Sequence, residues 1–80
     1  MVTPSLLTEF YEENEKQARA DIRYLQADMG EMQTVRERFA DDWQIEELIR
    51  GIIFEEVQTI NLLKEEIENV REARKELGKL

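Results

Sequence analysis

Hydrophobic residues recur along the chain at intervals of three or four, which is the spacing of one face of an α-helix. The first stripe comprises Leu7, Tyr11, Ala18, Ile22, Leu25, Met29, Met32, Val35 and Phe39. The second stripe comprises Ile45, Ile49, Ile53, Val57, Ile60, Leu63, Ile67, Val70 and Leu77. This pattern predicts an all-α fold built from two long amphipathic helices, about 5–40 and 42–77.

Capping signals set the predicted helix ends. Pro4 favours a first helical turn, and Thr3 or Ser5 can cap it. Asp41 and Gln44, three residues apart, resemble a capping box at the start of the second helix.

Gly30 interrupts the first stripe, and Gly in a helix costs about 1 kcal/mol relative to Ala. It could end the helix and leave a short second helix at about 31–40. The stripe nevertheless keeps its phase from Leu25 through Met29 to Met32, so a continuous first helix is predicted.

The two predicted helices have matched lengths of about 50 Å each. Together with the short joint between them, this favours an antiparallel hairpin that forms one domain over residues 1–80. Ile49, Ile53 and Val57 are predicted to line the contact between the helices. Trp43 is predicted to pack at the tip against neighbouring apolar side chains, Phe39 and Ile45, and the alternative is an anchor at a protein interface.

The apolar width of the second helix between Ile45 and Val57 exceeds what one partner helix can cover. A chain of 80 residues without cysteine or histidine has neither disulfides nor the commonest metal ligand to support a small core. We therefore expect a homodimer that forms an antiparallel four-helix bundle. The residues predicted to lie at an interface are Leu6, Phe10, Ile45, Leu48, Ile52 and Phe54.

The net charge is −8, from 19 acidic and 11 basic residues. This balance disfavours binding to nucleic acid or to an anionic membrane, since both need basic surfaces. The chain has no apolar run of about 18 residues and no basic segment of the signal-peptide kind at its start. A cytoplasmic protein is therefore expected.

Candidate chemistry is sparse. Without His or Cys there is no nucleophile–base pair, and the chain carries no Gly-rich phosphate loop. We predict no catalytic residue, no metal ligand and no cofactor. Several acidic residues are adjacent in the sequence, such as Glu12 with Glu13 and Glu46 with Glu47. They are interpreted as parts of solvated helix faces that form intrahelical ion pairs with basic residues four positions away. The expected ion pairs are Glu12 with Lys16, Glu15 with Arg19, and Glu46 with Arg50.

Polar residues on the apolar stripes leave some alternatives open. Glu56 lies between seam residues of the second helix, while Asp21 and Asp28 flank the first stripe, and inward carboxylates of this kind can hold Mg²⁺. Asn14 and Asn61 lie near the stripes. If they are buried, they can fix the register of the helices; the alternative is that both point partly to solvent.

The predicted function is a non-catalytic protein–protein interaction module, an adaptor or regulator, that acts as a homo-oligomer on an unidentified protein partner. The first alternative is an acidic inhibitor, such as one encoded by a phage, that covers a basic nucleic-acid-binding surface of a host protein. The second alternative is an Mg²⁺-dependent all-α hydrolase. The first of these is distinguished by steep salt dependence of binding, and the second by stabilisation with metal.

Overall fold

The computed structural model describes residues 4–79, with the backbone alone at Pro4, and consists of two helices, α1 (Pro4–Arg38) and α2 (Trp43–Gly78). The helices run antiparallel, because Arg36 near the turn pairs with Glu46 while Glu15 pairs with the distant Arg71. The hairpin measures 59 × 17 × 14 Å. The predicted all-α hairpin is confirmed. In the described residues, neither helix has a segment apolar and long enough to cross a bilayer.

The helix ends differ by one or two residues from the predicted ones. α1 begins at Pro4 and ends at Arg38, and it continues without a break through Gly30, as predicted. α2 begins one residue later than predicted and ends one residue later, at Gly78. The cap predicted at Thr3 lies outside the described residues.

The capping residue of α2 is Asp42, so the prediction of a capping box that begins at Asp41 is wrong. The Asp42 backbone is extended, and its Oδ1 accepts hydrogen bonds from the backbone N–H groups of Gln44, at 3.0 Å, and Ile45, at 3.2 Å. With the cap at this position, the third helical residue is the apolar Ile45, which cannot return a side-chain hydrogen bond. One carboxylate therefore satisfies two of the free N–H groups.

The prediction that Trp43 packs into the hairpin tip is also wrong. The Trp43 side chain is 72% exposed, and Phe39 is 49% exposed. Trp43 is the first residue of α2, where the chain has only just left the turn. Its ring therefore extends from the end of the hairpin rather than closing it.

Heptad positions, written abcdefg with a and d at the helix contact, describe the packing of both helices. In α2 the a positions include Ile53, Ile60 and Ile67, and the d positions run from Ile49 to Leu77 in steps of seven. In α1, the a row includes Ile22 and Met29, and the d row includes Tyr11, Ala18, Leu25 and Met32. From Thr8 onward, all a and d residues of the two helices are buried or half-buried. A seven-residue period of this kind is typical of a two-stranded antiparallel coiled coil.

The predicted seam needs one correction. Val57 does not line the contact between the helices but occupies an e position and is 40% exposed. The seam position one residue earlier belongs to Glu56, which is only 8% exposed. A strict heptad from Ile49 reaches residue 56 rather than 57, so the apolar spacing through Val57 followed a neighbouring row. The hairpin therefore buries the Glu56 carboxylate at the seam and leaves the neighbouring Val57 outside it.

Apolar burial within the described chain is modest. The buried hydrophobic residues are Ala18, Ile49, Ile60 and Ile67. Large hydrophobic side chains that remain exposed are more numerous: Leu6, Phe10, Tyr24, Phe39, Trp43, Leu48, Phe54, Val57 and Leu62. Two helices can cover only one stripe of each other, so the remaining apolar surface faces outward.

Candidate protein-interaction surfaces

The seam divides the hairpin surface into two sides. A shallow open groove on one side is floored by Ile22 and Ile67 and bordered by Arg19, Lys64 and Arg71. These border residues occupy e positions of both helices, so the e rows of α1 and α2 flank the seam on the same side. The g rows then flank it on the opposite side, as antiparallel pairing requires. We call the e and b positions the mixed-charge side, and the g and c positions the acidic side.

The mixed-charge side carries cations and acids together. In the described helices its cations are Lys16, Arg19, Arg23, Arg50, Lys64, Arg71 and Lys75. Its acids are Glu9, Glu12, Glu37, Glu47 and Glu68. Its large apolar side chains, Trp43, Phe54 and Val57, belong to the half of α2 next to the turn.

An ion-pair network borders the mixed-charge side at the end of the hairpin opposite the turn. Glu15 lies 3.0 Å from Arg71, 3.6 Å from Arg74 and 3.8 Å from Arg19. Its side chain is 18% exposed, so these pairs are partly sheltered from water. Arg74 also reaches Glu12 at 3.5 Å. The pairs of Glu15 and Glu12 with Arg71 and Arg74 join the two helices and favour one register. A single exposed ion pair would contribute less to this.

Two of the three predicted intrahelical ion pairs are confirmed, Glu15 with Arg19 and Glu46 with Arg50. The third is wrong, because Glu12 pairs across the hairpin with Arg74 instead of with Lys16. Near the turn, the Arg36 guanidinium lies 2.8 Å from Glu46 and holds the pKa of that carboxyl below its usual value, through hydrogen bonding and charge, against a smaller opposing effect of desolvation. Periodicity within one helix could not reveal these cross-helix partners.

The acidic side has a different composition. In the described helices its acids are Asp21, Asp28, Glu31, Glu55, Glu66 and Glu76. The g and c positions of the same helices hold a single cation, Arg38, at the last residue of α1. Large apolar residues are interspersed with the acids: Leu7, Phe10, Tyr24, Val35, Ile45, Leu48, Ile52 and Leu62. This side is therefore both more apolar and more negative than its opposite.

The acidic side also reaches closer to the core. Several of its g residues are half-buried, including Asp28, Val35 and Ile52, whereas the e residues of both described helices are exposed. The helices thus pack with their g rows turned toward one another. A surface formed by two adjacent helices presents a lengthwise depression, which is the shape against which a third helix packs.

Glu56 and Asp28 meet at the edge between the seam and the acidic side. Among the described residues, neither carboxylate oxygen of Glu56 has a hydrogen-bond donor. Burial raises the pKa of Glu56, and the neighbouring Asp28 carboxylate raises it further, because two adjacent negative charges repel. The position of Glu56 on the seam was predicted from spacing, but its partner Asp28 required the fold.

The six residues predicted at an interface do not all share one side. Ile45, Leu48 and Ile52 lie on the acidic side at the turn end, and Phe10 lies on it at the other end, with Leu6 one turn before Phe10. Phe54 follows Leu48 by six residues, about 600° of helix rotation, so it lies about 120° away on the mixed-charge side. Leu6, Phe10, Leu48 and Phe54 are exposed, while Ile45 and Ile52 are half-buried. Sequence spacing had not separated these two groups.

Neither asparagine extends across the seam. Asn14 is half-buried and donates to the backbone carbonyl of Phe10 in its own helix, at 3.1 Å, while Asn61 is exposed. In the described chain, no group of three or more acidic residues is placed to hold a metal ion. Comparison of the chain with protein-family models, with curated proteins and with solved structures finds no match.

Proposed function

We propose that this protein is a non-catalytic protein–protein interaction module, an adaptor or regulator, that acts as a homo-oligomer. The observation that carries the proposal is the imbalance between the small buried core and the large exposed apolar residues on both sides of the seam. Exposed apolar surface of this extent is typical of sites that bind other proteins. Two different sides offer two different kinds of contact.

Self-association is proposed for the mixed-charge side near the turn, around Trp43, Phe54 and Val57. This side carries both cations and acids, so a two-fold axis can bring the cations of one copy opposite the acids of the other. Aromatic anchors within a polar rim are the usual composition of such contacts. A four-helix bundle formed in this way would cover the three exposed side chains.

Sedimentation equilibrium at micromolar concentration tests self-association. We expect at least twice the chain mass of 9.6 kDa for the parent protein. Phe54→Glu should lower this to the chain mass while the helix content persists, whereas Leu62→Glu on the acidic side should leave the oligomer intact. A parent protein that sediments as a monomer would contradict the homo-oligomeric part of the proposal.

The Mg²⁺-dependent hydrolase alternative is tested by the effect of metal on thermal stability. Circular dichroism melts in EDTA and in Mg²⁺ should superimpose, because a bound ion stabilises the folded state and would separate them. A higher melting temperature in Mg²⁺ that Glu56→Gln abolishes would support the hydrolase alternative instead.

A second function, an acidic inhibitor that covers a basic nucleic-acid-binding surface, is favoured by the acid-rich composition of the g and c positions. Such an inhibitor would bind mainly through charge, and its affinity should fall steeply as salt is added. An adaptor that binds through apolar contacts should retain most of its affinity under the same conditions.

A further inference from the structure

The Glu56 carboxyl group lies in an environment that the hairpin alone does not complete. The side chain is 8% exposed, and no described residue donates a hydrogen bond to either oxygen. The nearest titratable partner is another acid, Asp28, which is half-buried across the seam. Burying a carboxylate without a donor or a cation is unfavourable, and a second carboxylate increases the cost. The pair therefore offers a place for a positively charged group supplied from outside.

The surface around this pair has the features of a binding site for a helix. Tyr24 and Leu62 are exposed on the acidic side of α1 and α2, near the middle of the hairpin. Leu48 and Ile52 continue the apolar surface toward the turn. These side chains border the lengthwise depression between the two helices on this side, which we call the groove, and an amphipathic helix can pack its own apolar face against such a surface.

The surrounding charges point to the chemistry of that helix. Asp21, Glu31, Glu55 and Glu66 border the apolar residues, and none of them forms an ion pair within the described chain. The cross-helix ion pairs of the described chain lie instead at the seam and toward the mixed-charge side. Uncompensated acids around an apolar groove favour a basic partner and oppose an acidic one.

We propose that the acidic side binds a basic amphipathic helix of a partner protein, and that one lysine or arginine of that helix inserts its cation between Asp28 and Glu56. This inference rests on the proposed function of a protein-interaction module, whose partner it specifies by chemistry. The apolar face of the partner helix packs on Tyr24, Leu48 and Leu62. Its basic flanks face the acids that border the groove.

A second copy of this chain fits the acidic side poorly. Face-to-face contact of two acidic sides would bring the same acids together with almost no cations to oppose them. Juxtaposed like charges cost several kcal/mol in a protein interface, whereas opposite charges accelerate association and select the partner. The mixed-charge side has no such obstacle, so the two contacts are assigned to different sides.

A synthetic peptide serves as the probe. It is an amphipathic helix of about 18 residues, long enough to span half of the hairpin, with leucine on one face and lysine on the other. One control peptide keeps the leucine face and replaces every lysine by glutamate. A second control has the composition of the probe in an order without an apolar face. Isothermal titration calorimetry should show binding of the probe and not of either control.

Paired variants locate the contact. Asp28→Asn with Glu56→Gln removes both charges that would hold the inserted cation, at nearly constant side-chain shape. Glu47→Gln with Glu68→Gln removes the same number of charges from b positions of the mixed-charge side. The first pair should weaken probe binding about tenfold or more, and the second less than about twofold. Circular dichroism establishes that each variant is folded.

Three outcomes would overturn the proposal. The first is equal weakening of probe binding by the two variant pairs, since net charge alone would then explain the loss of affinity. The second is equal binding of the probe and of the control peptide that has the same composition but no apolar face, since the apolar groove would then play no part in binding. The third is dissociation of the parent oligomer by Leu62→Glu but not by Phe54→Glu, which would place a second copy on the acidic side; the protein would still be a homo-oligomer, but not through the mixed-charge side. A monomer that still binds the probe with the expected variant pattern would contradict self-association alone.

Discussion

The two sides of this hairpin use the same helices for opposite electrostatic purposes. At the border of the mixed-charge side, Glu15 forms ion pairs with Arg19, Arg71 and Arg74, and those with Arg71 and Arg74 join α1 to α2. On the acidic side, Asp28 and Glu56 approach each other with no cation between them. The comparison teaches that charge on one side stabilises the fold, while on the other side it weakens the fold and remains available for binding.

Introducing a new acid on each side is the strongest test of this difference. Ile52→Asp adds a carboxylate to a half-buried g position near Glu56, where it joins an existing negative cluster. We expect a loss of about 1–3 kcal/mol in the free energy of unfolding, as for an unpaired polar group placed in an apolar contact. Urea denaturation followed by circular dichroism measures this loss.

Val57→Asp is the matched change on the mixed-charge side. Val57 is 40% exposed in a row that contains Arg50 and Lys64, so its carboxylate stays hydrated near cations. We expect a loss of less than about 0.5 kcal/mol when both variants are unfolded at a concentration at which the parent chain is monomeric, since Val57 also belongs to the proposed self-association contact. Equal losses of unfolding free energy for the Ile52 and Val57 variants would show that the two positions do not differ in burial or in the charge around them.

Removing the centre of the ion network should also lower stability. Glu15→Gln leaves Arg71 and Arg74 without their sheltered partner, and we expect about 1 kcal/mol of destabilisation that shrinks in high salt. Glu12→Gln is the control, because Glu12 is 55% exposed and, among the described residues, forms an ion pair only with Arg74. Thermal melts at low and high salt compare the two, and a Glu12 effect as large as that of Glu15 would contradict the sheltered network.

Neutralising the buried Glu56 should raise the stability of the protein, whereas the preceding substitutions lower it. A raised carboxyl pKa means that the folded state holds the Glu56 proton more tightly than the unfolded chain does. Stability is then lost as pH rises from the ordinary value of 4.5 through the raised folded pKa. We expect Glu56→Gln to melt a few degrees higher than the parent at pH 7. The gap should close below pH 4.5, and a gap that stays constant with pH would contradict this account.

The smallest effect concerns the pair near the turn. Arg36 lowers the pKa of Glu46, so the stabilisation it provides is present above the ordinary carboxyl value of 4.5 and disappears as pH falls through the lowered folded pKa. Both side chains are about one third exposed, and solvent screens the pair. Arg36→Gln should lower the melting temperature slightly at pH 7 and not at all in acid. A drop that persists in acid would attribute the effect to packing of the arginine stem.

The sequence by itself determined the two helices, the turn between them and the continuity of α1 through Gly30. Helical periodicity and capping chemistry are local, so they are readable along the chain. The same periodicity identified the apolar excess of α2 and placed both Glu56 and Val57 on the seam. It could not rank neighbouring rows of α2, since Val57 and Glu56 are adjacent and only contact with α1 selects between them.

The tertiary structure alone decided which residues face one another. Antiparallel pairing placed Arg74 beside Glu12 and Asp28 beside Glu56, although about 60 and 30 residues separate these partners along the chain. It also sorted the exposed apolar residues into two sides, separating Phe54 from Leu48. Charge and burial act through distance in space, which helix spacing does not specify until the register of the second helix is fixed.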